Sequence, residues 1–511
     1  MDGPLSFRQF FSGADVIDLV GRRIQDGGGV ETLAPYAKCP LLIAGDLENG
    51  AGEFQMPHLQ VLGSTHDPAL AYEFGKVIAQ RARVCGFHWT FGPVVDIVLN
   101  WLNPASSLRS LGSDPDEVAE MGAAIIRGMQ DNGLCATAKH YPGDGVDFRN
   151  QHIGTVADNM SRGEWQETFG KVYRSVIRAG VRAIMVGHIA LPWADDSMLP
   201  ATLSEKISTK LLREELRFEG VLVSDALVMS GFVSFPDARK RLIAAVNAGI
   251  DVLLWPDPEC FDILERAVEA GDIPESRIEE SALRVLEMKA AAGLIPVRES
   301  QAETRDGDDS REHFELVAKT VAEKGTVLLA DRNGFLPLNL SRGAKILAVI
   351  ADDPEALQGV DLRRCPRVSF LLDELETRGA KVTVRANLNC LAIREMEEHS
   401  IHYDAVLVLF TQHPRYAFRL SGMPLEMVWM MNYFERTKVI GISLYSPYLM
   451  MENPDTPAAV IHACDDCPAS QRAVVRILCG EIPPQRRSSV PMPQAGKALE
   501  NWEKISYRSL R

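Results

Sequence analysis

The segment 138–152, AKHYPGDGVDFRNQH, holds a dense set of side chains that can bind ligands or exchange protons. It follows an apolar run at 134–137 that has the composition of a buried strand. Pro142 and Gly143 then turn the chain, because proline lacks a backbone donor and glycine tolerates positive φ. Since catalytic groups of α/β enzymes concentrate in such loops, we interpret it as functional rather than as a solvated polar loop. Its candidate side chains are Lys139, His140, Asp144, Asp147, Arg149, Asn150 and His152.

A second candidate group is the carboxylate of Asp225, in the sequence GVLVSDALVMSGF. An apolar run, typical of a buried strand, delivers it between small residues, although an aspartate here could instead cap a helix. Glycoside hydrolysis with retention needs one carboxylate as nucleophile and a second group that donates and then removes a proton. Carboxylates and histidines at strand ends therefore indicate acid–base and glycosyl-transfer chemistry.

The motifs of several other enzyme classes are missing from the sequence. It has no Gly-x-Ser-x-Gly elbow, no P-loop, no Gly-x-Gly-x-x-Gly that opens a helix and no His-Glu-x-x-His pair. Cys464 and Cys467 form a Cys-x-x-Cys beside His462, but a second ligand pair is missing, so we expect buried or incidental thiols. We predict neither a cofactor nor a metal.

Composition favours a soluble globular protein that acts on a small or neutral ligand. The 511 residues are 46% hydrophobic and 24% charged, and the net charge is -15, which argues against nucleic acid or an anionic membrane as the main partner. The N-terminus has no signal-peptide pattern, and no apolar run approaches the roughly 20 residues that cross a bilayer. Nine scattered cysteines suit reduced thiols, so we predict a cytoplasmic protein.

Strand-like and helix-like segments alternate from about residue 40 to residue 295, in six or seven βα units. A TIM-type (β/α)8-like barrel and a doubly wound sheet would both show this alternation. Polar residues at the ends of the strands favour the barrel, because its strand ends converge on one face. These residues are Asp46, Asp96, Lys139, His140, His188 and Asp225.

The segment 296–311, PVRESQAETRDGDDSR, is charged and almost free of large apolar residues, so we interpret it as a linker. It separates a barrel domain at 1–295 from a smaller domain at 312–511. In the second domain six buried strands and four helices predict a three-layer α/β sandwich. The strands are expected at 326–329, 346–350, 382–384, 405–410, 439–444 and 458–461, and the helices at about 314–324, 389–399, 424–435 and 468–480.

Four motifs together resemble glycoside hydrolase family 3, and within it the β-N-acetylglucosaminidase group. They are LIAGDLENG, SLRSLGSDP, KHYPGDG and VLVSDALVM, and they occur in the family's order. The resemblance covers about residues 38–295, and VLLADRNGFLPL extends it more loosely into the second domain. In combination the motifs are highly specific, although none of them is so alone.

The resemblance implies a role for each matched residue. Asp225 is similar to the nucleophile that forms a glycosyl-enzyme intermediate, and His152 to a loop histidine that acts as general acid/base. A histidine suits that double role because its ordinary pKa is near neutrality. Residues that match substrate-binding positions, together with the strand-end His188 that we add to them, are Asp46, Arg109, Lys139, His140 and His188.

One position departs from the family pattern, in which residue 150 is an aspartate that pairs with the histidine two residues later. Asn150 can accept a hydrogen bond from the His152 ring but offers no charge, so we expect a weaker base and less efficient hydrolysis. Asp144 or Asp147, on the same loop, could supply the missing charge.

Several hypotheses on function follow. The first is a retaining β-N-acetylhexosaminidase; the second is a phosphorylase on the same scaffold, because a neutral Asn150–His152 pair repels phosphate less than an aspartate would. The third is a degenerate sugar-binding protein without turnover. A β-glucosidase is also open, with Glu426 in the second domain as acid/base. The second domain could be structural, shape the mouth of the site or form a homodimer contact.

Overall fold

The structure is a computed structural model that describes residues 39–51, 54–106, 108–295, 309–340, 343–352, 356–386, 402–412, 438–446, 448 and 457–491. The chain forms two compact units. The first unit comprises Met1–Glu53, Ala71–Asp96 and Gly122–Arg311, and the second comprises Phe54–Leu70, Ile97–Met121 and Glu312–Arg511. Most of the predicted linker lies outside the described residues, so its limits stay a prediction. In the described part of the chain, no helix is long and apolar enough to span a bilayer.

Up to residue 295 strands and helices alternate, as the sequence predicted. The strands are β1 (Ala44–Gly45), β2 (Gly50–Ala51), β3 (Phe54–Gln55), β4 (Trp89–Thr90), β5 (Thr137–Tyr141), β6 (Val156–Ala157), β7 (Ala183–Val186), β8 (Ile189–Ala190) and β9 (Val221–Ser224). The α-helices are Leu59–Gly63, Pro68–Val84, Pro115–Gln130, Arg162–Glu167, Phe169–Arg178, Ser230–Val233, Ala238–Asn247, Cys260–Glu269 and Glu275–Ala291. A 3-10 helix at Ala201–Leu203 and a π-helix at Lys206–Glu215 lie between β8 and β9.

The main strands of the first unit pair in parallel and in chain order. β1 pairs with β4, and Trp89 of β4 bridges to Cys135, just before β5. β5 pairs with β7, β7 pairs with β9, and Val223 of β9 bridges to Val252. A doubly wound sheet would reverse direction after its first strands, whereas here each strand adds beside the previous one, as in a barrel. Among the described residues no bridge joins the last strand to the first, so a closed barrel stays a prediction.

Apolar side chains from successive strands form one core cluster in the first unit. Trp89, Cys135, Met185 and Val223 belong to it, and Met288 of the helix Glu275–Ala291 packs against them. Every residue of β7 and β9 is buried, which is typical of parallel strands covered on both faces. This burial explains why these strands appear in the sequence as continuous apolar runs.

The apolar run at 134–137 was expected to form the strand, but β5 spans Thr137–Tyr141 and so includes Lys139 and His140. Both polar side chains have buried charged partners, Lys139 with Glu48 and His140 with Asp96. Side chains that are paired in this way can remain in a buried strand, so polarity alone did not mark its end.

The second unit contains one six-stranded sheet, in the order β10-β15-β14-β13-β11-β12. β10 is antiparallel to β15 and the other neighbours are parallel. All six predicted strands are confirmed, as are the predicted helices near 314–324 and 468–480. The other two predicted helices, at 389–399 and 424–435, lie outside the described residues, so a three-layer arrangement stays a prediction. The strands are β10 (Val327–Asp331), β11 (Lys345–Ala351), β12 (Lys381–Ala386), β13 (Ala405–Phe410), β14 (Val439–Ser443) and β15 (Ala459–His462); the α-helices are Asp309–Gly325, Ser369–Thr377 and Pro468–Leu478, with 3-10 turns at Arg332–Gly334 and Leu362–Arg364.

The buried carboxylate of Asp251 links three arginine side chains of the first unit to the backbone of β9. The Asp251 side chain is fully buried and is bound by Arg213 at 2.6 Å, Arg277 at 3.0 Å and Arg284 at 3.1 Å. It also accepts the backbone N–H of Leu222 at 2.9 Å. One carboxylate thus joins the π-helix, the helix Glu275–Ala291 and β9.

We expect Asp251→Asn to destabilise the protein by about 3–5 kcal/mol, because removing one partner of a buried ion pair leaves charge uncompensated. Urea unfolding of the full chain, followed by circular dichroism, measures the change. Glu214→Gln, which breaks the exposed pair between Lys210 and Glu214, is the matched control and should leave the midpoint unchanged. Equal effects of the two substitutions would contradict this account.

Candidate active site

Lys139 is the middle residue of β5 and is almost completely buried. Its Nζ is 2.9 Å from Asp46 Oδ1 and 2.6 Å from Glu48 Oε1. Only 3% of the Lys139 side chain and 13% of the Glu48 side chain are exposed, whereas 70% of the Asp46 side chain is exposed. Glu48 is therefore the largely buried counterion of Lys139, and Asp46 is the carboxylate that can also reach a ligand.

His140, the next residue of β5, is held by the buried carboxylate of Asp96. Asp96 Oδ2 lies 2.7 Å from His140 Nδ1, and its Oδ1 accepts the backbone N–H groups of His140 at 3.0 Å and Asp144 at 2.9 Å. One carboxylate thus fixes both the His140 ring and the start of the following loop. Because the Nδ1 side of the ring is engaged, the opposite edge with Nε2 is the part that can meet a ligand.

Glu48 and Asp96 are absent from the set of site residues that the sequence predicted. A signal existed for both, since Asp96 is one of the strand-end carboxylates and Glu48 lies within the motif LIAGDLENG. Their role as partners of Lys139 and His140 could not be deduced, because residues some 44 to 91 positions apart meet only in the folded chain.

Asp225 follows β9 directly, and 9% of its surface is exposed. Its backbone N–H donates to Val186 O of β7 at 2.9 Å, and its Oδ1 accepts the N–H of Ala226 at 2.8 Å. It therefore does not cap a helix. Burial by itself raises the pKa of this carboxyl, but the electrostatic influence of His140 and His188, the Ala226 hydrogen bond and Lys139 outweigh burial and hold the pKa below its usual range. The group is thus a buried, ionised carboxylate.

His188 follows β7 and is fully buried. Its Nδ1 lies 2.9 Å from Thr202 Oγ1 and its Nε2 lies 3.1 Å from Ala226 O. Both ring nitrogens thus contact protein atoms, and the predicted role of His188 in substrate binding stays a prediction. These contacts favour a supporting role, in which His188 braces the chain just after Asp225.

The Asn150–His152 pair forms within the loop that follows β5. Asn150 Oδ1 lies 2.6 Å from His152 Nδ1 and accepts the His152 backbone N–H at 3.0 Å. The second bond fixes the amide orientation, since a flipped amide would place NH2 against that N–H. His152 therefore donates through Nδ1, so proton exchange with a ligand falls to Nε2. Asn150 is buried and His152 is exposed.

Asp147, which the sequence allowed as a source of the missing charge, is paired with Arg149. Both Asp147 oxygens lie within 3.1 Å of Arg149 Nε, and Asp147 Oδ2 also accepts the Ala157 N–H at 3.2 Å. Burial raises the pKa of this carboxyl, but the Arg149 and backbone hydrogen bonds outweigh burial and lower it. The negative charge of Asp147 is thus compensated by Arg149. The other candidate, Asp144, accepts the Gly145 N–H at 2.7 Å.

The loop that carries His152 is docked onto the segment that follows Asp225. Ser230 N–H donates to His152 O at 3.2 Å, and Gly231 N–H donates to Gln151 O at 3.0 Å. Gln151 Oε1 also accepts the His188 backbone N–H at 2.8 Å. These bonds bring the histidine loop and the Asp225 loop together on the same face of the first unit.

Gly231 allows this close approach. A Cβ added at this position would lie 2.7 Å from His188 Cβ, 3.0 Å from Gln151 O and 3.3 Å from Gly154 O. No other residue type fits without displacing the loop. The sequence offered no sign of this requirement, because the contact atoms belong to distant parts of the chain.

Three further predictions concern other parts of the chain. Arg109 is half-buried and belongs to the second unit, in the segment Ile97–Met121. Glu426 lies outside the described residues. Cys464 and Cys467 are buried free thiols, and burial raises the pKa of both. Across the described ranges, no group of three or more His, Cys, Asp and Glu side chains is arranged as a metal site.

We expect Gly231→Ala to lower kcat by about tenfold or more while the protein stays folded, because a displacement of about 1 Å at an active site can have an effect of that size. The measurement is glycosidase activity on a nitrophenyl glycoside, with circular dichroism as the check on folding. Gly163→Ala is the matched control, since a Cβ there has no neighbour within 4 Å. Unchanged activity of Gly231→Ala would show that the docked loop is not required.

Comparison with known proteins identifies a family and several similar proteins. Residues 27–288 match the N-terminal domain of glycosyl hydrolase family 3. A β-N-acetylglucosaminidase/β-glucosidase from Cellulomonas fimi is 36% identical over 339 residues, and the match covers 62% of this chain and 59% of that protein. A β-hexosaminidase from Stenotrophomonas maltophilia (strain R551-3) is 31% identical over 326 residues, and the match covers 61% of this chain and 91% of that protein.

Among solved structures, a β-glucoside phosphorylase with 2FGlc bound is similar over 90% of this chain and 85% of its own, with a TM-score of 0.79 and 25% identity. The family match covers more than half of the chain and includes Asp46, Lys139, His152 and Asp225. On this ground the chain belongs to glycoside hydrolase family 3.

Proposed function

We propose that this protein is a retaining glycosidase that releases terminal β-linked N-acetylhexosamine, with Asp225 as nucleophile and His152 as acid/base. The observation that carries the proposal is the state of Asp225: a buried carboxylate at a strand end whose pKa is held below its usual range. Such a group is ionised at neutral pH and has little solvent to displace before it attacks. The docked loop with His152 supplies the second group that retention requires.

The proposed sugar specificity rests on the activities for which the similar proteins are named. The Cellulomonas and Stenotrophomonas proteins are named for β-N-acetylglucosaminidase, β-glucosidase and β-hexosaminidase activities. In this chain Lys139, His140 and the exposed Asp46 carboxylate would bind sugar hydroxyls, because a charged donor or acceptor forms strong hydrogen bonds with them.

In the first step the Asp225 carboxylate attacks the anomeric carbon, and the bond from that carbon to the leaving-group oxygen breaks. His152, in its imidazolium form, gives the Nε2 proton to the departing oxygen. Asn150 Oδ1 accepts the hydrogen bond from His152 Nδ1–H throughout and keeps the ring oriented. A covalent glycosyl-enzyme forms, with the leaving group released as an alcohol.

In the second step a water molecule attacks the anomeric carbon from the side that the leaving group vacated. The bond to Asp225 breaks, so the carboxylate is regenerated. Neutral His152 takes the proton of the water at Nε2 and returns to the imidazolium form. Two inversions give a β-configured product, which is net retention.

We expect Asp225→Asn to lower the release of nitrophenol from a nitrophenyl N-acetyl-β-glucosaminide by about 10³-fold or more, since the loss of a nucleophile has effects of that order. The amide can still accept the Ala226 N–H, so the fold should persist. An activated fluorosugar should label Asp225 of the unsubstituted protein, as mass spectrometry of peptides would show. Asp196→Asn, at a side chain that is 93% exposed, is the control. Retained activity, or a label on another residue, would remove Asp225 from this role.

A second candidate, a phosphorylase, is favoured by one observation. The partner of the His152 ring is the neutral Asn150 and not a carboxylate, and the nearby Asp147 is paired with Arg149. Phosphate entering in place of water therefore meets less negative charge than the family pattern would present. The similar structure named for β-glucoside phosphorylase is consistent with such an exchange on this scaffold.

We expect Asn150→Asp to shift the balance between the two acceptors toward water. The ratio of sugar 1-phosphate to free sugar should fall by about tenfold, since two like charges a few ångström apart near a protein surface repel by about 1–4 kcal/mol. A carboxylate also stabilises the imidazolium, so the basic limb of kcat/KM should move to higher pH. Product analysis with and without phosphate measures the first effect. A parent protein that gives no sugar 1-phosphate would eliminate this candidate.

The other predictions from the sequence are not tested by these observations. Sugar binding without turnover would be supported if N-acetylglucosamine binds and no product forms over long incubation. A β-glucosidase that uses Glu426, a cytoplasmic location and a homodimer stay predictions.

A further inference from the structure

Trp255 lies directly beyond the segment that pairs with the chain around Asp225. Ser224 N–H donates to Val252 O at 2.9 Å, and Leu254 N–H donates to Ser224 Oγ at 3.0 Å. Leu227 N–H donates to Leu254 O at 3.0 Å. Residues 252–254 are thus hydrogen-bonded to Ser224 and Leu227, which precede and follow Asp225 in the chain. Trp255 is the next residue.

The conformation of Trp255 turns its side chain out of the core. Leu254 packs against the core cluster of the first unit, whereas Trp255 is 66% exposed, the highest exposure among the large hydrophobic residues that the structure describes. Its φ is 53°, in the left-handed region that bulky residues rarely adopt. Strained conformations of this kind concentrate at ligand-binding and active sites. A glycine or asparagine would adopt this conformation at less cost.

Other exposed apolar side chains flank the same site. Val228 is 57% exposed and lies three residues after Asp225, and Ile153 is 54% exposed and lies next to His152. The hydrogen bond from Ser230 N–H to His152 O joins the loops that carry them. Single exposed apolar residues are normal on protein surfaces, but a group that adjoins both candidate catalytic residues is typical of a ligand site.

We propose that Trp255, together with Val228 and Ile153, forms the subsite for the leaving group, and that it takes an uncharged ring with an apolar face, either an aryl group or a second pyranose. The occupant follows from position, because the leaving group departs on the side of the acid, opposite the nucleophile. Leu227, which pairs with Leu254, belongs to the same loop as Ser230, which is bonded to His152 O. An indole face packs on aryl rings and on the C–H face of a pyranose by the same dispersion and ring-face contacts. This inference rests on the proposed glycosidase function.

The test uses three substrates with the same N-acetylglucosaminyl group and different leaving groups: fluoride, nitrophenol and a β-linked N-acetylglucosamine. We expect Trp255→Ala to lower kcat/KM by about three- to tenfold for the two ring leaving groups and by less than about twofold for fluoride. Trp255→Phe should retain most of the activity. A loss with the nitrophenyl substrate alone would identify an aryl occupant, and a loss with the disaccharide alone would identify a pyranose.

Three results would overturn the inference: equal loss for all three substrates, no loss for either ring substrate, or a change of oligomeric state in Trp255→Ala by light scattering. The last would place Trp255 in a contact between copies of the chain. Trp255→Gly relieves the backbone strain and must show the same split between substrates. Leu283→Ala, at another exposed apolar side chain, is the control. If the proposed function itself fails, the parent protein releases neither fluoride nor nitrophenol, and this outcome is distinct from all three.

Discussion

The pairing of buried charge at the ends of the parallel strands is the constraint on which the candidate site depends. A charge removed from water costs several kcal/mol unless it is paired and hydrogen-bonded. Lys139 is paired with Glu48 and Asp46, and His140 with Asp96. Burial raises the pKa of Asp225, but attraction to His140, His188 and Lys139 and the Ala226 hydrogen bond outweigh burial and hold it below its usual range. The pKa of Asp225 therefore depends on the groups that the fold places around it.

Backbone hydrogen bonds join the loop that carries His152 to the segment that follows Asp225. Ser230 and Gly231 donate to the carbonyl groups of His152 and Gln151, so the histidine loop rests on the chain that follows Asp225. His188 braces the same chain through Ala226 O. Because these bonds do not involve the side chain of residue 150, the loop can keep its position when that side chain differs. Replacing the family's aspartate with Asn150 removes a charge while keeping the hydrogen bonds to His152.

Much of the fold was predicted from the sequence, for an identifiable reason. Strands buried on both faces appear as apolar runs, and so all six strands of the second unit were predicted, as was the alternation in the first. The sequence did not predict that Phe54–Leu70 and Ile97–Met121 belong to the second unit. Contacts such as Ser64 Oγ to Ser489 Oγ, at 3.1 Å, join residues 425 positions apart, and no local pattern records such a pairing.

The sequence by itself determined which chemical groups the site contains and in what order they follow the strands. It provided Asp225, the Asn150–His152 pair and the Lys139–His140 dipeptide, because these motifs are local. Only the tertiary structure decided the partner of each group: Asp96 for His140, Glu48 for Lys139, Arg149 for Asp147, and protein atoms on both nitrogens of His188. The reason is physical, since charge state and orientation depend on neighbours that packing brings together from distant parts of the chain.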